Sequence, residues 1–184
     1  SEAAVAAGQV MLEPRIEARL LQDLAVAKHE KVLEIGTGSG FMAALLGHRA
    51  QRVLTLEIDP DLAQTAHANL QRAGVLNVEV RVADGASVDL SADGPFDAIL
   101  LDAPCSATGI VRRQPDVLLH RREADIATLV ATQAMLLDAS WPLLAAGGTL
   151  LYATCSILRE ENAAQVEAFL ARTPDAALEP LDAT

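Results

Sequence analysis

The chain has 184 residues and a formal net charge of −11; 51% of it is hydrophobic but only 3% is aromatic. That length suits one domain whose core must be filled by Ala, Leu and Val, and two cysteines exclude a disulfide framework and make a reducing cytoplasm the expected compartment. So acidic a chain repels polyanions overall, and any nucleic-acid contact needs a local basic patch or a separate domain.

"EPRIEARLLQDLAVA" carries Ile16, Leu20 and Leu24 at four-residue steps behind Pro14 and predicts an amphipathic helix. "KVLEIGTG" is a short apolar strand running into a glycine turn, and Ser39 is placed to cap "GFMAALLGH" as a helix. "RVLTLEID" predicts the second strand. A helix follows in "DPDLAQTAHANLQRAG", with Asp59 as N-cap, Pro60 in the first turn and Gly74 as its stop. Val78, Val80 and Val82 alternate as a third strand, and "FDAILLDAP" is the fourth. Five basic residues, Arg112, Arg113, His120, Arg121 and Arg122, then form the one local cluster that RNA could use; as charge alone they read as a solvated loop.

A long helix is expected from Glu123 to Leu144, bent or ended by Pro142 and followed by a "GG" break. "TLLYATC" is the fifth strand, and "REENAAQVEAFLAR" closes as a helix with Val166, Phe169 and Leu170 on one face. Strands alternating with helices predict an α/β fold, a doubly wound and mostly parallel sheet whose ligands bind beyond the carboxyl ends of the strands. No stretch has the length of a bilayer span, and "SEAAVAAG", with no methionine, reads as the start of a processed, tagged or excised chain.

Gly36, Gly38 and Gly40 between the first strand and its helix let backbone N–H groups approach a ligand. A dinucleotide fingerprint asks for a small residue at position 41, where Phe41 stands. Glu34 beside the loop suits a cation, such as the sulfonium and amino group of S-adenosylmethionine. Glu57 can accept from ribose hydroxyls, and Asp84 from an adenine amino group. With Thr37, Ser39, Ile58 and Gly85 these residues make the expected cofactor set; no metal site is expected.

Two resemblances follow. Residues from about 2 to 84, above all "MLEPRIEARLLQDLAV", "VLEIGTGSG" and "NVEVRVADG", resemble the protein-L-isoaspartate O-methyltransferases. Residues from about 96 to 175, carried by "FDAILLDAPCSATGIVRRQPD" and "GGTLLYATCSILREEN", resemble the bacterial 16S ribosomal RNA cytosine-C5 methyltransferases. Both imply a Rossmann-like class I S-adenosylmethionine-dependent methyltransferase fold. The pairing points to a chimera: one domain with a cofactor-binding half over 1–84, a catalytic half over 96–184 and a join near 85–95. The glycine motif departs from the cytosine enzymes as that resemblance has it, and their N-terminal RNA-binding domain has no counterpart. Val10 and Leu12 stand where isoaspartyl enzymes commonly carry a hydroxyl residue. The sheet is expected to stop after the fifth strand and its helix, leaving an apolar edge open to self-association.

Taken singly, a cysteine at the end of a buried strand is more ordinarily a small core hydrophobe, and two at neighbouring strand ends could form a disulfide. The cytosine-enzyme resemblance implies a different pair of roles. Cys155 is then the nucleophile that adds to C6 of cytosine, Cys105 assists loss of the C5 proton and product release, and Asp102 hydrogen-bonds the base near N3 and N4. Two rival readings remain open: isoaspartyl carboxyl methylation, and a folded chimeric scaffold with little or no activity.

Overall fold

The structure, a computed structural model, describes residues 4–5, 9–10, 14–112 and 122–181. It separates into two compact units, one made of the described residues up to Asp102 with Ala139–Tyr152, the other of Ala103–Asp138 with those from Ala153 onward.

The first unit holds the sheet. The apolar runs form β3 (Lys31–Ile35), β4 (Arg52–Glu57), β5 (Val78–Val82), β6 (Phe96–Asp102) and β7 (Leu144–Ala153), after a two-stranded ribbon of β1 (Ala4–Val5) and β2 (Gln9–Val10). The strand order is β5-β4-β3-β6-β7. β3 runs parallel to both β4 and β6, with Leu33 opposite Leu54 on one side and Ile99 on the other. Val32, Leu33, Val53, Leu54, Ile99 and Leu101 are all but inaccessible, as strands covered on both faces require. The chain leaves β3 toward β4 and β5, then returns to β6 on β3's other side, so the order reverses between β3 and β6. A ligand of such a sheet binds at that reversal, beyond the strand ends.

Three helices in this unit stand where the sequence signals place them. α1 spans Pro14–Leu24, α2 Phe41–Arg49 and α3 Pro60–Arg72. Asp59 caps α3 by accepting from the N–H groups of Asp61 and Leu62 at 2.8 and 3.3 Å, and Gly74 ends it in a left-handed conformation (φ 70°). α1 is turned relative to its expected phase: Ile16 is 42% exposed and Glu17 is buried in its place. The cap of α2 is Gly40 (φ 82°), not Ser39. A Cβ at Gly40 would lie 3.1 Å from the Cβ of Ala66, so the loop closes against α3 where only glycine fits.

The rear helix, α4, spans Glu123–Ser140 and stops before its expected end. Trp141–Leu143 is a 3-10 turn holding Pro142, and β7 begins at Leu144. The Gly147–Gly148 pair is therefore inside the strand rather than a break before it. There a Cβ on Gly148 would meet the Asp97 carbonyl oxygen at 2.6 Å, so the glycine permits close backbone approach.

In the second unit, α5 (Ala163–Arg172) buries Gln165 and Phe169, with Val166 and Leu170 half-buried beside them. Gln165 Nε2 donates to the Val130 carbonyl at 2.7 Å, and Arg172 reaches Asp138 at 2.8 Å. Arg112 and Arg122 are exposed; Arg113, His120, Arg121 and Leu12 lie outside the described residues. Among the described residues, no helix is long and apolar enough to cross a membrane.

Candidate active site

Because β3, β4 and β5 are adjacent and parallel, their carboxyl ends bring Glu34, Glu57 and Asp84 to one edge of the sheet. Gly36, Gly38 and Gly40 all have positive φ, at 103°, 53° and 82°. A Cβ on Gly36 would lie 2.9 Å from the Asp102 carbonyl oxygen, so the loop passes directly over the end of β6. Glu57 is buried and fixes this loop: its two carboxylate oxygens accept from the N–H groups of Gly38 at 3.0 Å and Asp59 at 3.1 Å. Each oxygen retains a lone pair for a ligand hydroxyl. Asp84 is exposed and accepts from the Ala86 N–H at 2.9 Å; Gly85 and Ser39 are half-buried. Ile58 and Val82, 66% and 54% exposed, offer apolar surface beside the two acids, of the kind a purine ring would cover.

Glu34 is 1% exposed. Thr55 donates to it at 2.5 Å and pairs with Thr37 at 2.6 Å. Burial pushes its carboxyl up to about 8, and the nearby Asp102, Glu17 and Glu57 add to the rise. Burial, then Glu17, lifts Asp102 to about 7. Glu17 itself is raised to about 7 by burial, and its Oε2 has no hydrogen-bond partner. Sequence reasoning missed it, because a glutamate beside an apolar stripe reads as the solvated edge of α1. An orphaned carboxylate oxygen and two further acids held back from ionising suit a cationic group, and with the loop they fit S-adenosylmethionine.

The second unit contains the two thiols. Neither is in a disulfide, and their Sγ atoms lie 3.2 Å apart. The Cys155 N–H also donates to Cys105 Sγ at 3.3 Å. The Cys155 thiol, helped by backbone N–H groups and opposed by burial, holds Cys105 below the usual thiol range. Gly109 backs the pair: its N–H donates to the Cys155 carbonyl at 2.9 Å, and a Cβ there would lie 2.7 Å from that oxygen. Behind the thiols sits a buried polar network that the sequence did not announce. Glu161, fully buried, accepts from the Ser106 N–H at 2.8 Å, the Ser106 hydroxyl at 2.5 Å and Gln133 Nε2 at 3.0 Å. The only hint was the acid's position just before a helix, where it reads as an ordinary first-turn charge. Among the described residues, no cluster of His, Cys, Asp and Glu could hold a metal ion.

The family described as 16S rRNA methyltransferase RsmB/F matches residues 20–184. The chain belongs to that family. Ribosomal RNA small subunit methyltransferase B of Xanthomonas campestris is 48% identical to it over 182 residues, which are 97% of this chain and 42% of that protein. The protein of the same name from Xylella fastidiosa strain Temecula1 is 46% identical over 175 residues, 94% of this chain and 40% of its own. The chain thus spans about two-fifths of the length of these curated relatives. A methyltransferase homolog protein from Pyrococcus horikoshii superposes with a TM-score of 0.74 at 26% identity, over 89% of this chain and 51% of that one. NSun6 from the same organism, solved with SFG, gives 0.77 at 21% identity, over 89% and 42%; that likeness shows the shared fold.

The RsmB/F match corrects the two-origin reading. It runs without interruption through residues 85–95, where a join was expected, and takes in the glycine loop, Glu57 and Asp84. No second family is supported for the front half. The glycine loop and strand-end acids misled because the fold, rather than one family within it, demands them.

Proposed function

We propose that this RsmB/F chain is the catalytic core of an S-adenosylmethionine-dependent enzyme that methylates C5 of cytosine in small-subunit ribosomal RNA, in the cytoplasm. The observation that carries the reading is the pair of reduced thiols 3.2 Å apart. Glu34, Gly36, Thr37, Gly38, Ser39, Gly40, Glu57, Ile58, Asp84 and Gly85 would hold the cofactor, with Glu17 as an addition. Bound S-adenosylmethionine would supply a methyl group, on a sulfonium, to C5 of the activated base.

The chain's own residues would activate that base. Cys155, the more exposed thiol, forms the bond to C6, and its proton leaves to N3 of the ring. Asp102, three positions before Cys105, holds the N3 and N4 edge; a carboxyl raised to about 7 can both donate and accept there. Cys105, with its depressed pKa, then takes the C5 proton. The C5–H electron pair restores the C5–C6 double bond, the C6–S bond breaks, and the N3 proton returns to solvent. Arg112 and Arg122, with the basic residues between them, would meet the RNA backbone.

The test is transfer of a labelled methyl group from S-adenosylmethionine to unmodified small-subunit ribosomal RNA. The label should appear in 5-methylcytosine. Glu57→Ala should weaken cofactor binding about tenfold to a hundredfold, as loss of charged hydrogen bonds worth roughly 1.5–3 kcal/mol implies. Tight S-adenosylhomocysteine binding with no label in cytosine would refute the reaction, and label in an isoaspartyl peptide instead would return the rival.

A further inference from the structure

We propose that Glu161 and Asn162 are the positioning residues of the cysteine pair, Glu161 bracketing Cys105 and Asn162 bracketing Cys155. The consequence for catalysis rests on the methyl-transfer reading above; the bracketing does not. Around Cys105, Glu161 takes the N–H and hydroxyl of Ser106 on one side. Gln133 joins it to the other side, donating to Glu161 at 3.0 Å and to the Pro104 carbonyl at 2.9 Å. Around Cys155, the Asn162 side chain does the same alone. Its Oδ1 accepts from the Thr154 hydroxyl at 2.7 Å, and its Nδ2 donates to the Ser156 carbonyl at 2.8 Å.

The two brackets are cross-tied by hydroxyls. Ser106 and Ser156, the residues just after each cysteine, have Oγ atoms 3.2 Å apart, and Thr108 Oγ1 lies 3.0 Å from Ser156 Oγ. Two consecutive residues, helped by Gln133, thus tie down the residues on both sides of both thiols, which sets the sulfur–sulfur separation and the proton shared across it. Their position also explains a buried charge. A carboxylate at 0% exposure is costly unless its donors are in place, and Glu161 has those of Ser106 and Gln133. Burial alone would raise this acid, but those donors hold it below the usual carboxylate range. Its negative charge opposes ionisation of Cys105, but as the smallest of the influences on a thiol that is lowered overall.

The measurement is the pH dependence of iodoacetamide alkylation, resolved for each cysteine by peptide mass spectrometry, on the whole chain without substrate. Glu161→Ala removes the acceptor of both Ser106 donors and of Gln133, so the rate and pH profile at Cys105 should change far more than at Cys155. Asn162→Ala should change the rate at Cys155 far more than at Cys105. S-adenosylhomocysteine binding, which uses residues of the other unit, should persist in both variants and reports that the chain is folded. Equal effects of Glu161→Ala on the two thiols of a folded chain would overturn the proposal, as would equal effects of Asn162→Ala. A parent that alkylates as expected yet transfers no methyl group would count against the proposed reaction and leave the bracketing supported. Where methyl transfer does occur, Asn162→Ala should lower kcat with little change in the cofactor KM.

Discussion

Three carboxyls, Glu17, Glu34 and Asp102, are raised to about 7, 8 and 7 near the carboxyl ends of β3 and β6. An acid with a raised folded pKa keeps a proton in the folded chain that the unfolded chain has already released. Its contribution to stability is therefore full below the unfolded value and is lost as pH rises toward the folded one. For Glu34 that window runs from 4.5 to about 8. The cofactor-free chain should melt at a lower temperature at pH 8.5 than at pH 6, and Glu34→Gln should flatten the slope. Each kcal/mol lost corresponds to roughly 2–4 °C in a chain of this size. A parent whose melting temperature is level or rises over that range contradicts these environments. Glu34 and the two cysteines were legible because they sit where strands end, and strand ends show in the sequence. Glu17 and Glu161 were not, since an acid on a helix or turn carries no mark of burial. Its partners come from far away, as Ser106 does for Glu161.

At the scale of elements, most boundaries follow from local signals: Asp59 and Pro60 open α3, Gly74 closes it, and branched runs define the strands. The errors came where tertiary contact overrode such signals. Gly147 and Gly148 look like a break but sit in β7, because the strand needs a residue without a side chain against Asp97. Gly47 lies inside α2, where glycine is otherwise a poor choice. A Cβ there would lie 2.8 Å from Val78 Cγ2 and 2.9 Å from Val75 Cγ1, while the Gly47 carbonyl accepts from Asn77 Nδ2 at 2.8 Å. α2 is thus held tightly against the start of β5. Gly47→Ala should destabilise the chain by about 1–3 kcal/mol through overpacking, despite the gain in helix propensity. Denaturant titration reads this directly, and a variant as stable as the parent would show that α2 is not so closely seated.

For the whole molecule, the sequence's alternating strands and helices were enough to specify a parallel sheet, and its glycine loop to specify the turn that follows β3. The family of the front half was not legible, because a glycine loop and strand-end acids are common to many enzymes of this fold. Among the described residues β7 is the last strand in the sheet order, and "TLLYATC" carries no charge to guard an edge. Copies of this chain should therefore associate as concentration rises; sedimentation showing a monomer throughout would count against edge pairing.

Covalent capture tests the central claim, that a cysteine pair performs addition to and release from an RNA base. The chain is acidic, so the assay belongs at low salt, where the proposed contacts from the Arg112–Arg122 segment would be strongest. With S-adenosylmethionine and unmodified small-subunit ribosomal RNA, Cys105→Ala should accumulate a denaturant-resistant protein–RNA adduct, because addition proceeds and release stalls. Cys155→Ala should form none, and the double variant none. An adduct trapped by Cys155→Ala would reverse the two roles, and no adduct from either variant while cofactor still binds would contradict the account.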